Sequence, residues 1–174
     1  MKKGLMIGLM GAMTLVACNQ EKEKVEDQFN YTVEQFADLQ LLRFKVHGFE
    51  ELPLKQKELV YYLSEAALHG RDILFDQNGK YNLIIRKMLE VVYTDYQGDR
   101  SDANFKNFET YLKRVWFSNG IHHHYAADKF VPGFTPEFFK SALESVDASK
   151  LPLMEGETLD ALCKEVFPVI FDAK

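Results

Sequence analysis

Ser101-Asp102-Ala103-Asn104-Phe105-Lys106-Asn107-Phe108-Glu109-Thr110-Tyr111-Leu112-Lys113-Arg114-Val115-Trp116-Phe117-Ser118 decides the fold class. Ser101 or Asp102 supplies a side-chain oxygen to cap the free amides of a first helical turn. Phe105, Phe108, Leu112 and Trp116 then recur at the three- and four-residue spacing of one helical face. Glu109 and Lys113 form an i, i+4 pair on that helix. Asn119-Gly120 stops it.

The same grammar extends outward. Ile84, Ile85, Met88, Leu89, Val92 and Tyr96 mark a helix before this one, ending at Gly98. Pro53 opens another, through Leu59, Leu63 and Ala67 to Gly70, and Asp76-Gln77-Asn78-Gly79 reads as a turn. Tyr31-Thr32-Val33-Glu34-Gln35-Phe36 has the form of a capping box with a hydrophobic staple. It predicts a first helix carrying Phe36, Leu39, Leu42 and Val46 on one face. Thr135-Pro136-Glu137 starts a helix with Phe138, Phe139, Ala142 and Val146. Thr158 starts the last, which Pro168 is expected to end. No segment alternates as a half-buried strand does, so the fold class is mainly α.

The chain has 174 residues, a formal charge of −5 and 47% hydrophobic residues. That suits one globular domain. An acidic balance argues against nucleic acid as a partner, because phosphate binding needs a basic face. The large aromatics, 14 Phe and 8 Tyr, leave several helices apolar on more than one face, and such helices usually need covering. The end, Val169-Ile170-Phe171-Asp172-Ala173-Lys174, follows an apolar stretch and reads as lacking a closing element.

Met1-Lys2-Lys3 followed by an apolar run to Val16 has the layout of a secretory signal over residues 1–17. Leu15-Val16-Ala17-Cys18 looks like a lipobox, in which Cys18 is lipidated and becomes the mature N-terminus; an ordinary signal peptide with an incidental cysteine is the alternative. Residues 18–30 begin with the polar Asn19-Gln20-Glu21-Lys22-Glu23-Lys24 and read as a solvated tether. Loss of Lys2 and Lys3 takes the charge from −5 to −7. The expected location is the cell envelope, periplasmic or outer-membrane, with the membrane as a partner through the anchor. Acylation leaves Cys163 as the only thiol. Among Leu159, Leu162, Val166 and Phe167 it reads as core.

The segment richest in chemistry comes after Ser118: Asn119-Gly120-Ile121-His122-His123-His124-Tyr125, with three of the five histidines. Three readings fit these residue types. Imidazoles ligate metals, and His122 and His124 would share a side of an extended chain, although partners would have to come from elsewhere. Imidazole, amide and phenol groups also suit a polar recognition loop lining a cleft. The third reading is structural hydrogen bonding.

Four blocks resemble one family. They are Glu34-Gln35-Phe36-Ala37-Asp38-Leu39-Gln40-Leu41-Leu42-Arg43, Gly70-Arg71-Asp72-Ile73-Leu74-Phe75-Asp76-Gln77-Asn78-Gly79-Lys80-Tyr81-Asn82, Arg114 through Tyr125, and Phe130-Val131-Pro132-Gly133-Phe134. From about residue 28 onward the chain looks like the N-terminal part of dipeptidyl peptidase III, an M49-type zinc exopeptidase, of Bacteroides-like bacteria. The resemblance implies a two-lobed enzyme that releases dipeptides from peptide N-termini, with residues 31–174 as a truncated, helical part of its non-catalytic lobe. It implies peptide substrates, and an interlobe cleft toward which Asn119, His122, His123, His124 and Tyr125 are the candidates to point. The family holds zinc with a His-Glu-x-x-Gly-His helix and a downstream Glu-Glu-x-Arg-Ala-Asp helix. Neither motif occurs here, and no His is followed by Glu. No catalytic or zinc-binding residue carries over, and the chain alone is expected to be inactive and to bind no zinc. The alternative is a small α-helical lipoprotein acting as a binding or scaffold module.

Overall fold

The first element departs from the sequence reading. In the computed structural model, which describes residues 29–172, β1 (Thr32–Phe36) and β2 (Leu39–Leu42) form an antiparallel hairpin where a helix was expected. Ala37 and Asp38 make the turn between the paired Phe36 and Leu39, and Ala37 has φ 49, which no continuing helix accommodates. Thr32 and Val33 are β-branched, and Tyr31 and Phe36 aromatic; these side chains favour extended backbone. Thr32, expected as a helix cap, instead accepts a hydrogen bond from Gln40 Nε2 across the hairpin at 3.0 Å. The spacing of Phe36, Leu39, Leu42 and Val46 does not mark a buried face, since Leu42 and Val46 lie exposed.

Helix α1 (Leu54–His69) starts at Pro53 and ends at Gly70 as expected, yet none of its residues is buried. Helix α2 (Arg71–Asn78) begins immediately after Gly70. Asp76, Gln77 and Asn78, read as turn residues, are its last turn, and only Gly79 leaves the helix. Buried Phe75 anchors α2 to the core cluster.

The core lies among α3 (Asn82–Asp95), α4 (Ala103–Ser118), α5 (Pro136–Glu144) and α6 (Leu159–Phe171). Ile85, Met88, Leu89 and Val92 of α3 meet Phe105, Phe108, Leu112 and Val115 of α4 in one cluster, with Phe139 and Leu143 of α5 and Leu162, Val166 and Ile170 of α6. Each such side chain contributes roughly 1.5–3 kcal/mol on leaving water. The rings of Phe108, Phe134 and Phe139 pack with centroids 5.5 to 5.9 Å apart. The caps are those the sequence marks: Asp102 accepts from the Asn104 amide, Thr135 from Phe138 and Thr158 from Ala161. Cys163 is buried on α6.

Pro168 does not end α6. It lies inside the helix, which runs on to Phe171. A proline removes one amide donor and strains one turn, but here Ile170 is fully buried and Phe171 packs on Phe134 and Phe167. That packing holds the last turn. The fold is therefore mainly α with one hairpin. The signal segment 1–17 and Cys18 lie outside the described residues.

Candidate functional site: the loop after α4 and its flanking cleft

Helix α4 ends on Asn119, in the left-handed region at φ 53 and ψ 37, and the Gly120 amide donates back to the Val115 carbonyl at 3.1 Å. Two amide side chains pin the helix end and the start of the loop. Asn78 Nδ2 donates to the Asn119 carbonyl at 3.2 Å, and buried Asn82 accepts from the Ile121 amide at 3.2 Å. The chain then forms a narrow loop. Phe130 N–H donates to the Ile121 carbonyl and His123 N–H to the Asp128 carbonyl, both at 2.8 Å, while Ile121 and Phe130 are buried as its base.

That geometry sorts the five candidates. His122 sits in an isolated bridge with Lys129. The chain turns at His124 and Tyr125 rather than running on extended. Instead, His123 and His124 stack with centroids 4.5 Å apart, and His124 meets Phe117 edge-on at 5.0 Å. The Tyr125 amide donates to His123 Nδ1 at 3.2 Å, which leaves Nε2 to carry the proton of the neutral ring. Asn119, His122, His123 and His124 line one cavity of about 490 Å³ with Asn78, Asn82 and Ser118. Tyr125 does not line it; the residue is 88% exposed at the loop tip.

The cavity lining contains no carboxylate and no thiol. Among the described residues, no group of three or more His, Cys, Asp or Glu side chains is placed to hold a metal ion. These residues do not fit a zinc site, and no metal-assisted step is assigned to them. What they offer is a set of amide and imidazole hydrogen-bonding groups. Ser118 Oγ adds a buried hydroxyl without a hydrogen-bond partner.

Asn119 also lines a second cleft of about 700 Å³, bounded by the hairpin, the α1–α2 junction, α3 and α4. Its floor is a polar bracket that sequence reasoning missed. Arg86 is buried, its Nη2 donates to Asp72 Oδ1 at 2.6 Å, and its guanidinium lies 4.7 Å from the centre of the Phe75 ring. Arg86 Nε lies 3.4 Å from Glu90 Oε1, and the same oxygen accepts from Trp116 Nε1 at 2.8 Å. The Arg86 hydrogen bond, aided by the charges of Arg86 and Lys87, holds the Asp72 carboxyl below its ordinary range. One signal was available: Arg86 interrupts the apolar run of α3 and has Glu90 one turn on.

Trp116 and Phe117 keep 38% and 37% of their surface exposed. Edge contacts secure them rather than burial, Trp116 against Tyr93 at 5.7 Å and Phe117 against His124. Both face the cleft. Among the described residues, no helix is long and apolar enough to cross a membrane. No family model matches the chain, and no curated protein matches it.

Proposed function

We propose that this chain is a helical, non-catalytic part of a dipeptidyl peptidase III-like lipoprotein, and that its loop from Asn119 to His124 binds the peptide substrate. The observation that carries this reading is the amide-and-imidazole lining of the 490 Å³ cavity. Such groups donate to and accept from peptide carbonyls and amides without requiring a charged ligand. The end of α4 places its partly negative carbonyl terminus nearby, which favours the positive amine of a peptide N-terminus. The hydrolytic zinc belongs, on this reading, to a lobe whose motifs are absent from this sequence. Lipidation of Cys18 anchors the protein in the cell envelope.

Two measurements test it. The coding sequence beyond Lys174 should continue in frame into a His-Glu-x-x-Gly-His segment, and its absence sinks the family assignment. The purified chain, given zinc and a dipeptidyl-arylamide, should show no chelator-sensitive turnover, while an unhydrolysed peptide amide should shift the ring resonances of His122, His123 or His124. Turnover, or three unmoved histidines, overturns the proposal.

One observation favours a second reading. Helix α1 buries no residue and presents Leu59, Tyr62 and Leu63 to solvent, as a docking module would. A scaffold lipoprotein would bind a protein partner through α1 and leave the histidines unperturbed by peptides.

A further inference from the structure

The 700 Å³ cleft lies within the volume range of small-ligand sites. Phe36, Leu41, Leu68, Phe75, Trp116 and Phe117 form its apolar wall. Its charges are paired with one exception. Lys113 Nζ is 2.6 Å from Glu34 Oε1, and Arg86 takes Asp72 and Glu90. Arg71, the first residue of α2, also lines the cleft and makes no ion pair or hydrogen bond among the described residues. Glu34, Asp72 and Glu90 engage Lys113 and Arg86, and Arg71 is the cleft-lining cation that no carboxylate among the described residues engages.

We propose that this cleft binds a short apolar carboxylate, such as the C-terminal residue of a peptide with a bulky apolar side chain. Arg71 receives the carboxylate, whose two oxygens match the guanidinium fork. The side chain enters the aromatic and aliphatic wall, covering Trp116 and Phe117, which are otherwise more than a third exposed. The Arg86–Asp72–Glu90 bracket contributes rigidity rather than charge, since its two carboxylates are already ion-paired with Arg86. Trp116 donates to the Glu90 oxygen that is ion-paired with Arg86, which ties one wall of the cleft to its floor before a ligand arrives. This inference goes beyond the peptide-amide reading of the histidine cavity and does not depend on it.

Trp116 is the only tryptophan, so its fluorescence reports this cleft directly. The chain would be titrated with N-acetyl-Leu-Phe as the free acid, with the corresponding C-terminal amide, and with octanoate. The free acid should change Trp116 emission and bind roughly tenfold more tightly than the amide, the ratio expected of one charge-assisted pair. Arg71→Ala should abolish that preference and Arg71→Lys should keep part of it, with far-UV dichroism and thermal midpoint unchanged, because Arg71 is exposed. Octanoate binding as tightly as the peptide acid would keep the carboxylate assignment and name a fatty acid as its source. Equal affinity for acid and amide, an acid preference that survives Arg71→Ala, or no binding of either peptide overturns the proposal. Ring shifts of His122 to His124 in the same titrations report the other cavity, so failure at one site is distinguishable from failure at the other.

Discussion

The side-chain oxygen of Asn82, the first residue of α3, accepts a hydrogen bond from the Ile121 amide at 3.2 Å, tying the histidine loop to the core 39 residues away in sequence. Gly120 permits the approach, for a Cβ there would stand 2.5 Å from Asn82 Nδ2. Asn82→Ala leaves the buried Ile121 amide without its acceptor, at a cost of about 1–3 kcal/mol. Gly120→Ala forces Asn82 aside and should destabilise in the same direction. Urea midpoints would check both, and wild-type midpoints in the two variants would show that the loop does not hang on Asn82.

Tyr111 presents the opposite case. Its hydroxyl is buried without a hydrogen-bond partner, and burial pushes its pKa well above the ordinary phenol value. Removing an unsatisfied polar atom relieves a desolvation cost, so Tyr111→Phe should be neutral or stabilising by up to about 1 kcal/mol. A comparable loss of stability in calorimetry would contradict this account of the phenol.

Stability should be concentrated on one side of the chain. Phe108 is fully buried, whereas Leu63 on α1 is 60% exposed. Phe108→Ala should cost about 3–5 kcal/mol through lost transfer and the cavity left behind. Leu63→Ala should stay within about 0.5 kcal/mol, as surface substitutions do. Comparable losses in the two variants would mean that α1 is covered in solution by something that buries Leu63.

These contrasts explain what the sequence made legible. The caps at Asp102, Thr135 and Thr158 were readable because a cap is local chemistry, one side chain and one amide two or three residues away. The α3 face and most of the α4 face were readable because they are buried, and burial is what imposes helical spacing on apolar residues; Trp116, read as part of the α4 face, is 38% exposed, and Val115 is buried instead. Where the chain is little buried, the same spacing misled. Phe36, Leu39, Leu42 and Val46 fall at helical intervals, yet they belong to a hairpin and its exit, turned by Ala37 at a positive φ that no Asn-Gly or Asp-Gly pair announces. Pro168 misled for the converse reason, since the packing of Ile170 and Phe171 outweighs one lost hydrogen bond. The grouping of Asn119 with the three histidines was legible from their adjacency. The Asp72–Arg86–Glu90–Trp116 bracket was not, because it joins three helices whose relative placement only the fold determines.

That bracket gives acid sensitivity a definite sign. The folded Asp72 carboxyl is depressed, chiefly by its hydrogen bond from Arg86, so its contribution to stability is present above the unfolded carboxyl value of 3.8 and is lost as pH falls through the folded value. The magnitude is modest, about 1 kcal/mol or less for the pair itself, because the Asp72 side chain is 51% exposed and solvent screens it. Asp72→Asn adds a second cost at neutral pH, since it leaves buried Arg86 with Glu90 as its only nearby carboxylate. The variant should therefore be less stable than wild type at about pH 7. The gap should close at acidic pH below the folded Asp72 value, where wild-type Asp72 is itself protonated and resembles the amide. Urea denaturation of both proteins at the two pH values decides it. A gap of equal size at both would assign the role of Asp72 to packing or neutral hydrogen bonding rather than to its charge.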